Sequence, residues 1–143
     1  MQAVLLKDAS LIVDNALAHG LALDCHPLTV AVLDAGGHLV ALKRQDASGI
    51  LRPDIAQAKA WGALGMGVGG RGLARKAAEA PAFLQSLTAI SRGRIAPVPG
   101  GALIRDAAGY VVGAVGISGD HPDRDEACAV HGIESAGFTA DVG

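Results

Sequence analysis

The chain has 143 residues, enough for one domain whose core needs neither disulfides nor a metal. Half of the residues are apolar and 18% are charged, and the net charge is only −2 with no charge runs, which excludes an electrostatic nucleic-acid binder. No apolar run approaches the roughly 18 residues of a membrane helix, and the start carries no signal-peptide pattern, so a cytoplasmic protein without a membrane partner is expected.

With one Trp, one Tyr and two Phe, the core must be built from Ala, Val, Leu and Ile packed closely through small residues. The apolar excess leaves little polar material to cover a monomer, so a homo-oligomer is expected. Cys25 and Cys128 stand alone, outside any CxxC pattern.

In chain order, the stretch from Asp8 places Ala9, Ile12, Val13, Ala16 and Gly20 on one helical face, with Asp8 as its expected N-cap. Thr29 to Leu33 is a β-branched apolar run, Ala35-Gly36-Gly37 is turn chemistry, and Leu39 to Leu42 is apolar again. That pattern predicts a β-hairpin. Asp54 is the expected cap of a second, Ala-rich helix, "IAQAKAWGALGMG", which the Gly-rich "GMGVGGRG" breaks. Short helical pieces are expected near 73–79 and 81–90, and "SRGRIAPVPGG" reads as a loop.

A second hairpin follows, from Ala102 to Asp106, through Ala107-Ala108-Gly109, and from Tyr110 to Ile117. It repeats the first: aligning Asp34 with Asp106 pairs Gly37 with Gly109, His38 with Tyr110 and Val40 with Val112. A phenol is a poor substitute for a metal-binding imidazole, so the repeat reads as shared scaffold and His38 drops out as a ligand. A last helix carries Asp123 and Glu126 at capping-box spacing and ends near Gly137. The order α-ββ-α-ββ-α predicts an α+β domain over residues 1–143, an antiparallel sheet of two hairpins with helices packed on it.

Chemistry is therefore expected in the unrepeated segments. The literal GxGxxG at Gly67, Gly69 and Gly72 follows a helix, not a strand, and reads as a flexible interhelical loop. Arg92, Arg94 and the backbone amides of Gly100 and Gly101 could together hold a carboxylate or a propionate. Lys59 interrupts an apolar helix and is a candidate acid or base, with Arg44 and Asp46 near the first hairpin as possible companions. A lysine snorkelling to solvent is the competing reading. His121, Cys128 and His131 lack the four-ligand pattern of structural zinc, so no metal is assigned. His19 and His131 border the apolar stripes of the two outer helices and are the leading axial-ligand candidates if haem is held.

The strings "VAVLDAGGHLVALKRQD", "DIAQAKAWGAL", "PVPGGALIRDAAGYVVGAVGISG" and "DRDEACAVHGIESAG" cover almost the whole chain. Together they resemble the GlcG/HbpS family, which includes the C-terminal domain of PduO-type proteins. The resemblance implies a profilin-like fold, assemblies that are often octameric and, in some members, haem binding. It points to Lys59, Gly100, Gly101 and their loop as a ligand-site neighbourhood. Three functions follow: a haem-binding or haem-sensing oligomer, a cofactor-independent enzyme or binding protein for a small organic acid, and an accessory subunit without a ligand.

Overall fold

A computed structural model describes residues 1–143. Its elements are α1 (Leu6–Ala22), β1 (Thr29–Asp34), β2 (Leu39–Arg44), α2 (Arg52–Met66), α3 (Gly70–Glu79), α4 (Pro81–Ile90), β3 (Gly101–Arg105), β4 (Val111–Ser118), α5 (Pro122–Ser135) and β5 (Thr139–Asp141). One antiparallel sheet, in the order β2-β1-β4-β3-β5, separates an α1/α5 layer from a layer led by α2. The two expected hairpins are its first four strands. The short β5, which has no apolar run to announce it, pairs with β3 at the edge.

The doubled hairpin is a doubled hydrogen-bond scheme. Asp34 Oδ1 accepts the N–H groups of Gly36 and His38, and Asp106 Oδ1 accepts those of Ala108 and Tyr110. Gly37 and Gly109 take left-handed backbone angles, φ 81° and 89°, that a Cβ would oppose. Each hairpin also slips register next to its turn, between Val32 and Leu33 in one and between Ile104 and Arg105 in the other. His38 and Tyr110 occupy equivalent scaffold positions.

Val30, Val32, Ile104, Val115 and Ile117 point toward α1 and α5 and form the main core with Ile12, Val13, Cys128 and Ile133. The two helices approach closely because Gly132 faces α1: a Cβ there would lie 2.7 Å from the Ile12 carbonyl oxygen. On the opposite face, Leu33, Leu103 and Ala114 meet Ala60 and Ala63 of α2. Here strand glycines remove the spacer altogether. A Cβ on Gly116 would collide with the Ala56 carbonyl, and one on Gly101 with the Lys59 carbonyl.

Three expected caps move. α1 starts at Leu6, and Asp8 acts from inside the first turn, its carboxylate accepting the Leu5 N–H at 3.0 Å. α2 starts at Arg52, ahead of Asp54. The N-cap of α5 is His121, while Asp123 and Glu126 both engage Arg71 of α3 instead of forming a capping box. An acidic residue suits the positive N-terminal turn as well as the cap itself, so the spacing alone does not separate the two.

The Gly-rich run ends α2, as expected, but most of it is not a loose loop. Gly70 begins α3, and Cβ atoms on Gly69 and Gly70 would strike the backbone of Val142 and of Val98. These glycines allow close packing beneath distant parts of the chain. No helix is long and apolar enough to cross a membrane.

Gly116→Ala is expected to destabilise the fold by more than about 2 kcal/mol, because backbone must move to admit the methyl group. Gly65→Ala, inside α2 with ordinary space beside Trp61 (3.4 Å), should stabilise by about 0.5–1 kcal/mol. Urea unfolding of the two variants checks both signs.

Candidate functional site

Lys59 does not snorkel. Only 4% of its side chain is exposed, and its Nζ donates to the Ile117 carbonyl at 2.8 Å and to Asp125 Oδ2 at 3.2 Å. Because the helix backbone rests on Gly101, the lysine stem must run past the end of the sheet and reach the opposite layer. Asp125, 1% exposed on α5, meets it there and also accepts the Asp120 N–H through Oδ1. Burial lowers the Lys59 pKa and raises that of Asp125, with their mutual attraction opposing both shifts. The pair ties the two helical layers together.

Gly100 and Gly101 belong to the same knot. A Cβ on Gly100, at φ 114°, would come within 2.8 Å of Lys59 Nζ, and the Gly100 carbonyl accepts the Ile117 N–H. Lys59 thus occupies the side of both glycines where a side chain would otherwise stand. Arg44 is not part of it. It lies on the edge strand β2, two strands from Ile117, and donates to the Ser48 carbonyl at 2.6 Å. Arg44 and Asp46 line a separate cavity with Cys25 and Pro27.

His19 and His131 come together. Their rings stack across the outer seam of α1 and α5, with centroids 4.2 Å apart and planes 10° from parallel. One turn away Asn15 donates to Ser135 Oγ at 2.9 Å, and Arg124 reaches the Leu23 carbonyl. The seam is thus a row of polar cross-links between antiparallel helices. Burial, and then the charge of His131, lower the His19 pKa from its ordinary 6.5. Under the seam, burial pushes the Cys128 thiol up to about 12, which leaves it inert as a nucleophile.

Arg92 and Arg94 lie in the other layer. They flank a cavity of about 350 Å³ whose walls include Asp54, Gln57 and Trp61 of α2 and Gly37 of the first turn. Arg94 sits over the Trp61 ring, 3.9 Å from its centroid. The sheet separates this cavity from the histidine pair, so a single ligand on one copy of the chain touches one or the other. His38 pairs with its own turn, Nδ1 lying 3.2 Å from Asp34 Oδ1.

Sequence reasoning missed Asp125 and Trp61. Asp125 sits in "DRDEA", which looks like a solvated helix start, although position 125 falls on the same face as Cys128 and Ala129. Trp61, the sole tryptophan, was a visible signal two residues after Lys59.

Lys59→Met is expected to cost about 3–5 kcal/mol, because it strands a buried carboxylate. The double variant Lys59→Met/Asp125→Leu should recover more than half of that loss. Chemical unfolding of the single and double variants measures the coupling directly.

Several solved structures share the architecture. A crystal structure of a PduOC–haem complex superposes with TM-score 0.85 at 23% identity, covering 96% of this chain and 97% of that one. The Klebsiella pneumoniae protein ORFY superposes with TM-score 0.85 at 24% identity, over 96% of this chain and 92% of its own. HbpS superposes with TM-score 0.80 at 25% identity, over 94% of this chain and 90% of its own. No curated protein matches the chain in sequence. Residues 4–134 match the family described as haem degrading protein HbpS-like, and the chain belongs to that family.

Proposed function

We propose that the protein binds haem, with the stacked imidazoles of His19 and His131 as the ligating element. The observation that carries this reading is the pair itself, two imidazoles brought within 4.2 Å on a half-open helix seam. Ligation needs a neutral imidazole with a free lone pair, and the lowered pKa of His19 keeps it neutral further into the acid range. The donor chemistry therefore fits an axial haem ligand.

The stacking also limits the role. Lone pairs of imidazole lie in the ring plane, so those of two stacked rings run side by side. Stacked rings would therefore offer a haem one nitrogen rather than two, and His19 would be the residue to hold it. His131 shields the ring of His19 and opposes its protonation. Haem, when bound, supplies an iron centre whose visible absorption reports the ligand.

Family membership supports the haem reading at the level of the class. The competing acid–base reading required Lys59 to meet a substrate, and its ammonium is sealed between the Ile117 carbonyl and Asp125.

Self-association is the second part of the proposal. α4 buries only Leu84, while Phe83 and Ile90 are exposed, and Ile50 and Leu51 protrude from the loop before α2. Such apolar surface is expected to be covered by copies of the same chain, and the octamer implied by the resemblance is the size to test. Native mass spectrometry showing only a monomer at micromolar concentration would rule this out.

Haemin titration should shift the Soret band of the wild-type protein. The shift should be lost in His19→Ala and weakened in His131→Ala; its survival in both variants would refute the assignment. The affinity should also fall as pH drops through the lowered His19 pKa, that is below 6.5, because the proton competes for the ligating nitrogen.

A further inference from the structure

The cavity beside Trp61 takes no part in haem ligation as proposed, yet four features of it point to a ligand of its own. The first is its charge. Arg92 enters no ion pair within the protein, and neither does Asp54 across the cavity. Arg94 uses its Nε to hold the Ser91 carbonyl at 2.8 Å, which leaves its terminal N–H groups free. Two guanidinium forks thus border one opening, and such forks match the planar geometry of a carboxylate.

The second feature is the backbone under Arg92. α4 ends in a Schellman motif: the Gly93 N–H bonds to the Thr88 carbonyl and the Arg92 N–H to that of Ala89. Arg92 therefore occupies the left-handed position of that motif, at φ 57°. Glycine usually fills this place, as Gly137 does at the end of α5 at φ 86°, although Asp24 holds it at the end of α1 at φ 57°. An arginine held here is strained for no packing gain, because it is exposed. Local strain of this kind concentrates where a side chain has a task.

The third feature is the aromatic wall. Trp61 lies between the Gly37 turn and Gly65, and a Cβ on Gly37 would come 3.0 Å from the indole Nε1. The indole is thereby set in one place, with Arg94 fixed over its ring. The fourth is size. About 350 Å³ is at the lower end of ligand pockets and suits a monocyclic acid.

We propose that this cavity binds a small planar organic carboxylate, its charge received by Arg92 and Arg94 and its flat body by the wall of Trp61 and Leu33. Asp54, on the same cavity, disfavours dianions and offers an acceptor to a hydroxyl or amino substituent. The site stands apart from the histidine pair, so its failure and that of the haem reading are separable.

Trp61 is the only tryptophan, so its fluorescence reports the cavity directly. The test titrates the haem-free full chain with benzoate, and in parallel with acetate, inorganic phosphate and benzyl alcohol. Benzoate should change the emission saturably, with the other three binding at least about tenfold more weakly, since each lacks either the ring or the carboxylate. Arg94→Gln should weaken benzoate binding at least about tenfold. Arg92→Gly should do the same while raising the thermal midpoint, because glycine relieves the left-handed position. Benzoate affinity unchanged in Arg92→Gly would assign the arginine to structure alone and overturn the proposal. So would phosphate or benzyl alcohol binding as tightly as benzoate, or no saturable response to benzoate at all.

Discussion

The arrangement depends on one close approach, the backbone of α2 lying on the sheet with no side chain between them. The carbonyls of Ala56 and Lys59 rest against Gly116 and Gly101, where any Cβ would collide with them. Once the helix is that close, the side chains between it and the sheet must be small, which is why Ala60 and Ala63 meet Ala114 there. Residues on the helix flanks are pushed outward and sideways. Lys59 leaves past the end of the sheet, and Trp61 leaves toward the first turn, where Gly37 makes room for it. The buried ion pair and the Trp61 cavity are two consequences of the same contact.

The ion pair is better understood as a specifier than as a source of stability. Two charges taken out of water lose solvation that their attraction recovers only in part, and the directions of the shifts in Lys59 and Asp125 say the same: each is pushed toward its neutral form. A helix slipped by one turn, however, would part the ammonium from both the Ile117 carbonyl and Asp125. That penalty discriminates against wrong registers of α2 on the sheet, and of α5 relative to α2. Dispersion between alanines would do this weakly, because one small side chain resembles the next.

Much of the fold was legible because its signals are local. Asp34 and Asp106, each three residues before a glycine and between apolar runs, fixed both hairpins, and Gly137 marked a helix end. What escaped depends on distant partners. Gly69 and Gly70 looked like a flexible loop, since their reason for being glycine is the approach of Val142 and Val98, far along the chain. Gly100 and Gly101 looked like open amides for the same reason, while their neighbour is Lys59. Asp125 was hidden among charges that do face water. Of the candidate site, the residue types were legible and the groupings were not: His19 met His131, whereas Lys59, Arg44 and the Arg92/Arg94 pair went to three different places.

That dispersal bears on how such a chain can carry function at all. A core of small and aliphatic side chains packs closely and leaves little interior room, so any ligand must be met at the surface of a layer. The outer faces of the two layers offer different chemistry: imidazoles along the α1–α5 seam, and guanidinium with indole beside α2. With only four aromatic side chains in the sequence, the placement of the single tryptophan under an arginine is not required by the core, which is completed by Ala60, Ala63, Leu33 and Leu103. Trp61 is packed against that cluster rather than buried in it. The features a tightly packed scaffold does not need, a strained arginine and a half-open indole among them, are the places where selection for something other than stability leaves its physical mark.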